Sequence, residues 1–213
     1  AIIFAALTGI VFFSSPVSKV IKLKVIALFF GMCLVIGAVL VMSGGSFLQA
    51  RQLERFNFTR PCDRLLDTGN QVCNGYIAIN NGGLTGIGLG NSTQKYLYLP
   101  YPYTDFIFAV IVEELGLVVG IAIILAYLYL LYRILKIGRE SYTNRGALLC
   151  YGVAVYIFLH VIVNLMGLFG LMPMTGVPLP FMSYGGSFTL CLMVSLAIVQ
   201  RVNIENKIRS KKS

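Results

Sequence analysis

The sequence predicts an all-α membrane protein: a polytopic bundle of membrane-spanning helices with one long extracellular loop and a re-entrant turn rich in proline and glycine. Hydrophobic residues fill 57% of the 213 positions and charged residues only 12%, and the mean hydropathy is +0.82. Long apolar runs recur along the chain and are joined by short basic connections. In lipid a helix satisfies its own backbone hydrogen bonds, so these runs are expected to be helices.

Five apolar segments are candidates for membrane spans, because about 20 apolar residues in a helix cross the hydrocarbon core. We predict spans over residues 1–14, 25–42, 106–132, 147–172 and 180–200. The first is too short to cross a bilayer and does not begin with Met. We therefore interpret it as the remainder of a helix that starts earlier in a longer chain, and not as a signal peptide.

Basic residues predict the orientation of the bundle. They are concentrated in two short connections and in the C-terminal tail at 201–213, with Lys19, Lys22, Lys24, Arg133, Lys136, Arg139 and Arg145 in the connections. The positive-inside rule places these parts in the cytoplasm, so the loop at 43–105 and the turn near 173–186 lie outside. The tail has no interleaved aromatic residues, so we interpret it as a topology signal and expect no nucleic-acid partner.

Asp105 stands where a stretch rich in tyrosine and proline, residues 96–104, meets the apolar run at 106–132. Tyrosines gather at the headgroup level of a membrane, so this junction predicts a carboxylate at the boundary between water and lipid. Such a carboxylate is dry on one side and wet on the other. Chemistry on a membrane-borne substrate is expected there.

The extracellular loop carries a glycine run at 82–90 and several basic residues. The run is a weak phosphate-binding signal, because no strand-to-helix context surrounds it, and a compact loop with positive φ angles is the simpler interpretation. Arg51, Arg55 and Lys95 could either neutralise lipid phosphates or solvate the loop. Lys95 directly precedes the aromatic stretch, where a pyrophosphate at headgroup depth would meet a cation.

Two acids, a histidine and an asparagine fall inside the predicted spans at 106–132 and 147–172. If 106–132 is one helix, Glu113 and Glu114 lie near mid-membrane, at about the depth of His160. Acids at that depth need partners, protonation or a watery cavity, so we predict a hydrogen bond between a glutamate and His160 or Asn164. The residues are then either polar contacts between helices or a proton relay.

The cysteines divide by location. Cys62 and Cys73 both fall in the extracellular loop, where an oxidising compartment permits a disulfide, and the sequence leaves them either bridged or free. The other three lie in apolar runs. No metal-ligand spacing is present, so the sequence identifies no metal site.

Two ordered motifs carry a family resemblance. The first combines residues 81–84 (NGGL), 88–95 (GLGNSTQK), 98–100 (YLP), 104–109 (TDFIFA) and 113–116 (EELG). The second is residues 170–187 (GLMPMTGVPLPFMSYGGS). Together they resemble the SEDS family of FtsW, RodA and SpoVE proteins, and most of all the C-terminal half of an FtsW-type member.

The resemblance implies a peptidoglycan glycosyltransferase of the bacterial cytoplasmic membrane that polymerises lipid II in cell division. Its partners would be the nascent glycan strand, a class B penicillin-binding protein and other division proteins. Asp105 matches the essential aspartate of the family. Gln94 and Lys95 of the first motif and Ser183 and Tyr184 of the second are expected to contact substrate, with Arg51 and Arg55 of the loop.

The chain departs from the family just before Asp105. Family members commonly have Leu-Pro-Glu and often a His there, whereas residues 100–103 are PYPY. Asp105 is then the sole loop acid at this place. No cofactor is required by the resemblance, although a divalent cation, Mg²⁺ or Mn²⁺, could assist.

In this interpretation Asp105 removes a proton from a sugar hydroxyl while Lys95 faces the departing pyrophosphate. An ordinary aspartate is a weak base for an alcohol, so either its basicity is raised in the half-dry site or proton transfer lags bond breaking. A lipid II flippase that uses Glu113, Glu114 and His160 is the alternative from another class. A division scaffold and a RodA-type elongation polymerase are further alternatives.

Overall fold

The computed structural model describes Cys62, residues 68–97 and residues 102–211. The regular elements of these parts are helices, as the sequence predicts: α1 Thr68–Gly82, α2 Thr93–Leu97, α3 Ile107–Leu115, α4 Leu117–Arg139, α5 Asn144–Leu168 and α6 Gly186–Ser210. The predicted spans at 1–14 and 25–42, and with them Arg51 and Arg55, lie outside the described residues.

Three of the helices, α4, α5 and α6, are long and apolar enough to cross a membrane. They pack together; the connection from α4 to α5 at 140–143 is short, and the one from α5 to α6 at 169–185 is long. The Thr143 hydroxyl accepts a hydrogen bond from the Gly146 amide at 3.2 Å and so caps the start of α5. At the same end, the Asn206 side chain donates to the Ile137 carbonyl at 3.2 Å and ties α6 to α4.

The predicted single span over 106–132 is wrong, because the helix breaks at Gly116. This residue has φ 89° and ψ 166°, and a Cβ on it would lie 2.3 Å from the Leu84 carbonyl oxygen. The short α3 then packs against the start of α4, where a Cβ on Gly120 would lie 2.7 Å from Val112. Only glycine readily adopts this backbone conformation, and here it also permits the close approach of the loop.

The other two spans are shifted from their predicted bounds. The helix predicted at 147–172 is α5, Asn144–Leu168, and the helix predicted at 180–200 is α6, Gly186–Ser210. The helix α6 therefore includes most of the stretch predicted as a cytoplasmic tail. The charged residues there are compatible with helix, so the apolar run alone underestimated its length.

The glycine run forms a compact turn with positive φ angles, as expected. Its Ile87 and Gly88 amides donate to the carbonyls of Glu113 and Glu114, both at 3.0 Å. In return the Leu117 amide donates to the Gly83 carbonyl at 2.9 Å. The turn thus satisfies the backbone of the chain where α3 ends and α4 begins.

The proline- and glycine-rich segment between α5 and α6 enters the bundle, in agreement with the predicted re-entrant turn. The Tyr127 hydroxyl donates to the Pro180 carbonyl, and Leu179 and Pro180 are fully buried. Tyr127 lies ten residues into α4, or about 15 Å from its start. Irregular backbone at this depth is satisfied by protein rather than by lipid.

Cys62 and Cys73 form a disulfide, with their Cα atoms 4.9 Å apart. Cys73 lies in α1, which packs on the end of the bundle where α5 finishes. A Cβ on Gly75 of α1 would lie 3.0 Å from Leu168 and 3.3 Å from Phe106. The disulfide therefore belongs to the end of the bundle opposite the basic connection between α4 and α5.

We expect Gly116→Ala to destabilise the protein, because alanine at φ 89° is strained and its Cβ overlaps the Leu84 carbonyl. The expected loss in free energy of unfolding is about 2 kcal/mol or more. Thermal unfolding of the purified protein in detergent measures it. Gly152→Ala is the matched control, since nothing lies within 4 Å of a Cβ there; equal melting temperatures for the two variants would contradict the assignment.

Candidate functional site

Asp105 lies in the turn at 102–106 that leads into α3. The following residue, Phe106, is only 2% exposed and anchors the turn in the core beside α1. Asp105 itself is half-buried. The site is thus at the end of the bundle where α5 finishes, outside the three spanning helices.

Three consecutive carbonyl groups hold the Asp105 backbone in place. The Tyr103 carbonyl accepts from the Tyr184 amide at 2.9 Å, and the Thr104 carbonyl accepts from the Ser183 hydroxyl at 2.6 Å. The Asp105 carbonyl accepts from the Asn164 side-chain amide at 3.0 Å. All three donors come from the end of α5 or from the re-entrant segment. They fix the main chain and do not engage the Asp105 carboxylate.

Ser183 and Asn164 each hold two segments at once. The Ser183 hydroxyl also accepts from the Leu179 amide at 2.7 Å, and Asn164 also donates to the Val177 carbonyl at 2.8 Å. The two side chains are 7% and 6% exposed. Ser183, expected to contact substrate, is therefore buried and bonded to two segments, whereas the neighbouring Tyr184 side chain is 84% exposed and accessible.

The Asp105 carboxylate faces the re-entrant segment at Gly176. A Cβ on Gly176 would lie 3.4 Å from Asp105 Oδ2, and Gly176 has φ 66°. The crevice between them, lined also by Asn164 and Thr175, has a volume of about 10 Å³. This volume holds about one water molecule, so any larger molecule must approach Asp105 from its exposed side.

Burial raises the pKa of the Asp105 carboxyl above its ordinary value, and a hydrogen bond with the Thr104 side chain offsets part of this increase. Among the ion pairs of the described residues, none involves Asp105. The carboxylate is consequently a stronger base than an exposed aspartate. Of the two alternatives drawn from the sequence, this geometry favours raised basicity.

Glu113 and Glu114 do not pair with His160 or Asn164, so that prediction is wrong. Glu113 is fully buried and accepts hydrogen bonds from the hydroxyls of Ser92 and Thr93, the latter at 3.4 Å. Because the helix ends at Leu115, both acids lie beside the loop and not in mid-span. They fasten the loop to α3.

Lys95 forms an ion pair with Glu114, with 3.5 Å between Nζ and Oε1. Its ammonium group also lies 5.3 Å from the ring centre of Tyr96 and 5.5 Å from that of Tyr103. Burial lowers the pKa of Lys95, but Glu114 and the two tyrosines outweigh this effect and the pKa is raised. Lys95 therefore stays charged, and its charge is already partnered. Gln94, also expected to contact substrate, is buried.

His160 is held within α5 and against α6. Its Nδ1 lies 2.8 Å from the Tyr156 carbonyl, and its ring stacks on Phe188 with 4.9 Å between centroids. Neither contact is with an acid. The proposed relay of Glu113, Glu114 and His160 is not assembled among the described residues.

A family model described as a cell cycle protein family, FtsW/RodA/SpoVE, matches residues 1–208. The chain belongs to the FtsW/RodA/SpoVE family. The match includes both motifs that suggested the resemblance, which is thereby confirmed.

Similar members of the FtsW/RodA/SpoVE family come from diverse bacteria. The chain is 40% identical over 84% of its length to a probable peptidoglycan glycosyltransferase FtsW from Marinomonas mediterranea, and 39% over 92% to one from Lactococcus lactis. It is 37% identical over 69% of its length to stage V sporulation protein E from Bacillus subtilis. These alignments cover 45%, 46% and 40% of the relatives, so the chain spans about half their length.

The fold is also found in a solved structure of a peptidoglycan synthase complex, described as the structural coordination of polymerization and crosslinking. The TM-score is 0.60 at 24% identity, and the match covers 86% of this chain and 49% of that one. This likeness concerns the fold. It agrees with the predicted bundle of membrane helices.

The two motifs contain Ser92, Thr93 and Gly176, but the sequence did not indicate their contacts in this FtsW/RodA/SpoVE site. Ser92 and Thr93 bond Glu113, and Gly176 lies opposite the Asp105 carboxylate. Each partner is distant along the chain. One feature of the sequence could have indicated these hydrogen bonds. Ser92 and Thr93 follow the glycine turn closely, and hydroxyl side chains at such places commonly bond nearby polar groups.

We expect Ser183→Ala to loosen the Asp105 turn, because it removes the donor to Thr104 and leaves the buried Leu179 amide without its acceptor. The free energy of unfolding should fall by about 1–3 kcal/mol, and the amides of 103–106 should exchange hydrogen faster. Ser195→Ala is the control, since its hydroxyl bonds only the Cys191 carbonyl of its own helix. Unchanged hydrogen exchange at 103–106 would contradict the assignment of Ser183 as a residue that holds the Asp105 turn.

Proposed function

We propose that the protein is a peptidoglycan glycosyltransferase that polymerises glycan strands from lipid II at the outer face of the bacterial cytoplasmic membrane. The observation that carries the proposal is the half-buried Asp105 carboxylate, on a turn whose three carbonyls are held by hydrogen bonds, and without an ion pair among the described residues. Relatives named probable peptidoglycan glycosyltransferase FtsW support the reaction class.

In the proposed reaction Asp105 acts as the general base. It takes the proton from the 4-hydroxyl of the incoming sugar as that oxygen forms a bond to C1 of the growing glycan. The bond between C1 and the lipid pyrophosphate breaks, and the pyrophosphate leaves with the electron pair. Desolvation of the carboxylate raises its basicity and so brings it closer to what an alcohol requires.

The substrate would lie over the exposed face of the turn. The side chains of Tyr103 and Tyr184 are both exposed, and their main chains are hydrogen-bonded to each other. Aromatic faces beside the acid suit the apolar face of a sugar ring. We assign these two tyrosines to acceptor binding.

The departing pyrophosphate needs positive charge. Lys95 is partnered by Glu114, so it would contribute only by exchanging that partner for the phosphate. Arg51 and Arg55 stay candidates for this role. No cofactor is required by the proposal; a divalent cation, Mg²⁺ or Mn²⁺, would be held by the substrate phosphates, which leaves Asp105 available as the base.

The proposed orientation places Asp105 outside and the C-terminus in the cytoplasm. The ends of α4 and α6 are basic, which favours the cytoplasmic side. The disulfide belongs to the opposite end, which fits an oxidising compartment. Lipid II in the outer leaflet would then reach Asp105 directly.

We assign the polymerase to cell division, with a class B penicillin-binding protein and other division proteins as partners. The names of the FtsW relatives favour division over RodA-type elongation. The structural neighbour comes from a complex that coordinates polymerization with crosslinking, which supports a crosslinking partner. A flippase driven by Glu113, Glu114 and His160 is disfavoured, because these residues contact Ser92, Lys95 and Tyr156 instead.

We expect Asp105→Asn to lower glycan polymerisation by about a hundredfold or more, because the amide cannot accept the proton. Polymer formed from purified lipid II by the full-length protein, with and without a penicillin-binding protein partner, measures the effect. Glu205→Gln, an exposed acid paired with Arg201 at the other end of the bundle, should be unaffected. An active Asp105→Asn protein of normal membrane abundance would refute the base assignment.

The pH dependence should report the raised pKa of Asp105. A base works only when deprotonated, so activity should fall as pH drops through a pKa above the ordinary value of about 3.9. Thr104→Val removes the hydrogen bond that lowers this pKa, so the acid limb of kcat/KM should move to higher pH. An acid limb that stays in place in Thr104→Val would show that another group controls it.

A further inference from the structure

A second cavity lies at the opposite end of the bundle, between the last turns of α4 and α6. Its volume is about 830 Å³, and it is lined by the ends of these helices and the connection after α4. The helix α5, which runs from this end to the Asp105 end, has 25 residues, or about 37 Å of length. The cavity is therefore separate from the Asp105 site.

The lining of this cavity is positively charged. Arg139 comes from α4, Lys207 from α6, and Lys211 directly follows α6, and all three side chains are exposed. Glu140 is the acid among the lining residues, and it pairs with Lys136, with 3.9 Å between Oε1 and Nζ. The cavity thus has a surplus of cations that the described residues leave available for an anion.

The walls are held together and are partly apolar. The hydrogen bond from Asn206 to the Ile137 carbonyl joins the two helices at this level. Beside the basic groups, Tyr142, Ile204 and Ile208 expose their side chains. A ligand with both an anionic and an apolar part matches this lining better than a free ion does.

We propose that this cavity binds the phosphodiester headgroup of an acidic phospholipid. Arg139, Lys207 and Lys211 would contact the phosphate, and Ile204 and Ile208 would contact the start of the acyl chains. The cavity lies where helices long enough to span the membrane end, which is headgroup depth. Basic pockets between membrane helices are suited to such lipids. This inference does not depend on the proposed polymerase activity.

The test compares two triple variants of the full-length protein that lose the same charge. The pocket triple is Arg139→Gln, Lys207→Gln and Lys211→Gln. The matched control is Arg133→Gln, Arg201→Gln and Arg209→Gln, on the same two helices but outside the lining. Native mass spectrometry of the protein in detergent measures the binding of phosphatidylglycerol against phosphatidylcholine, and melting temperatures report folding.

We expect phosphatidylglycerol to bind more tightly than phosphatidylcholine, and the pocket triple to lose this preference by about tenfold or more. The control triple should keep it. Added phosphatidylglycerol should raise the melting temperature of the unaltered protein and of the control, but not of the pocket triple. If the pocket triple does not fold, the single variants Lys207→Gln and Arg209→Gln make the same comparison, each with the loss of one charge.

Three results would overturn the proposal. An equal loss of the preference for phosphatidylglycerol in the pocket triple and the control triple would mean that surface charge alone attracts the lipid. Equal binding of the two lipids to the unaltered protein would exclude a headgroup site. Displacement of phosphatidylglycerol by millimolar inorganic phosphate would show that the cavity takes a soluble anion instead.

Discussion

The structure depends on the hydrogen bonds between the Asp105 turn and the segment that re-enters the bundle. Both stretches are irregular, so their carbonyls and amides lack the partners that a helix supplies, and buried groups of this kind must find others. The carbonyls of 103–105 meet donors from Tyr184, Ser183 and Asn164. One set of bonds therefore satisfies two irregular segments and positions the acid between them. The same bonds hold Gly176 against the Asp105 carboxylate. Gly176 thereby shields one side of the carboxylate from water.

The break at Gly116 decides which acids are structural. With the helix ended at Leu115, Glu113 and Glu114 turn to the glycine loop, where hydroxyls and Lys95 satisfy them. Acids that have such partners are poor candidates for bases or relays. Asp105 lacks an ionic partner among the described residues, and this difference in surroundings separates the carboxylate proposed as the base from the two that fasten the loop to α3.

The two ends of the bundle differ in charge and in chemistry. One end has the disulfide, the glycine loop and a desolvated acid, and the other has the basic ends of α4 and α6. The helix α5 connects them, with its capped start at the basic end and Asn164 near its last turn at the other. A single helix thus links the surface proposed to bind an anionic lipid headgroup with the turn proposed to act on a sugar hydroxyl.

The sequence by itself determined the all-α class, the family, the position of Asp105 beside an apolar helix and the need for positive φ in the glycine run. These features follow from composition, from ordered motifs and from the backbone preferences of glycine. All of them depend on residues that are close together in the sequence. The partners of Glu113, Lys95, Ser183 and Asn164 were decided only by tertiary structure. Each contact joins residues distant in sequence, and one glycine turn at 116 redirected the helix on which the predicted pairing rested. Periodicity assumes a continuous helix, so it cannot show where packing against a loop makes a break more favourable.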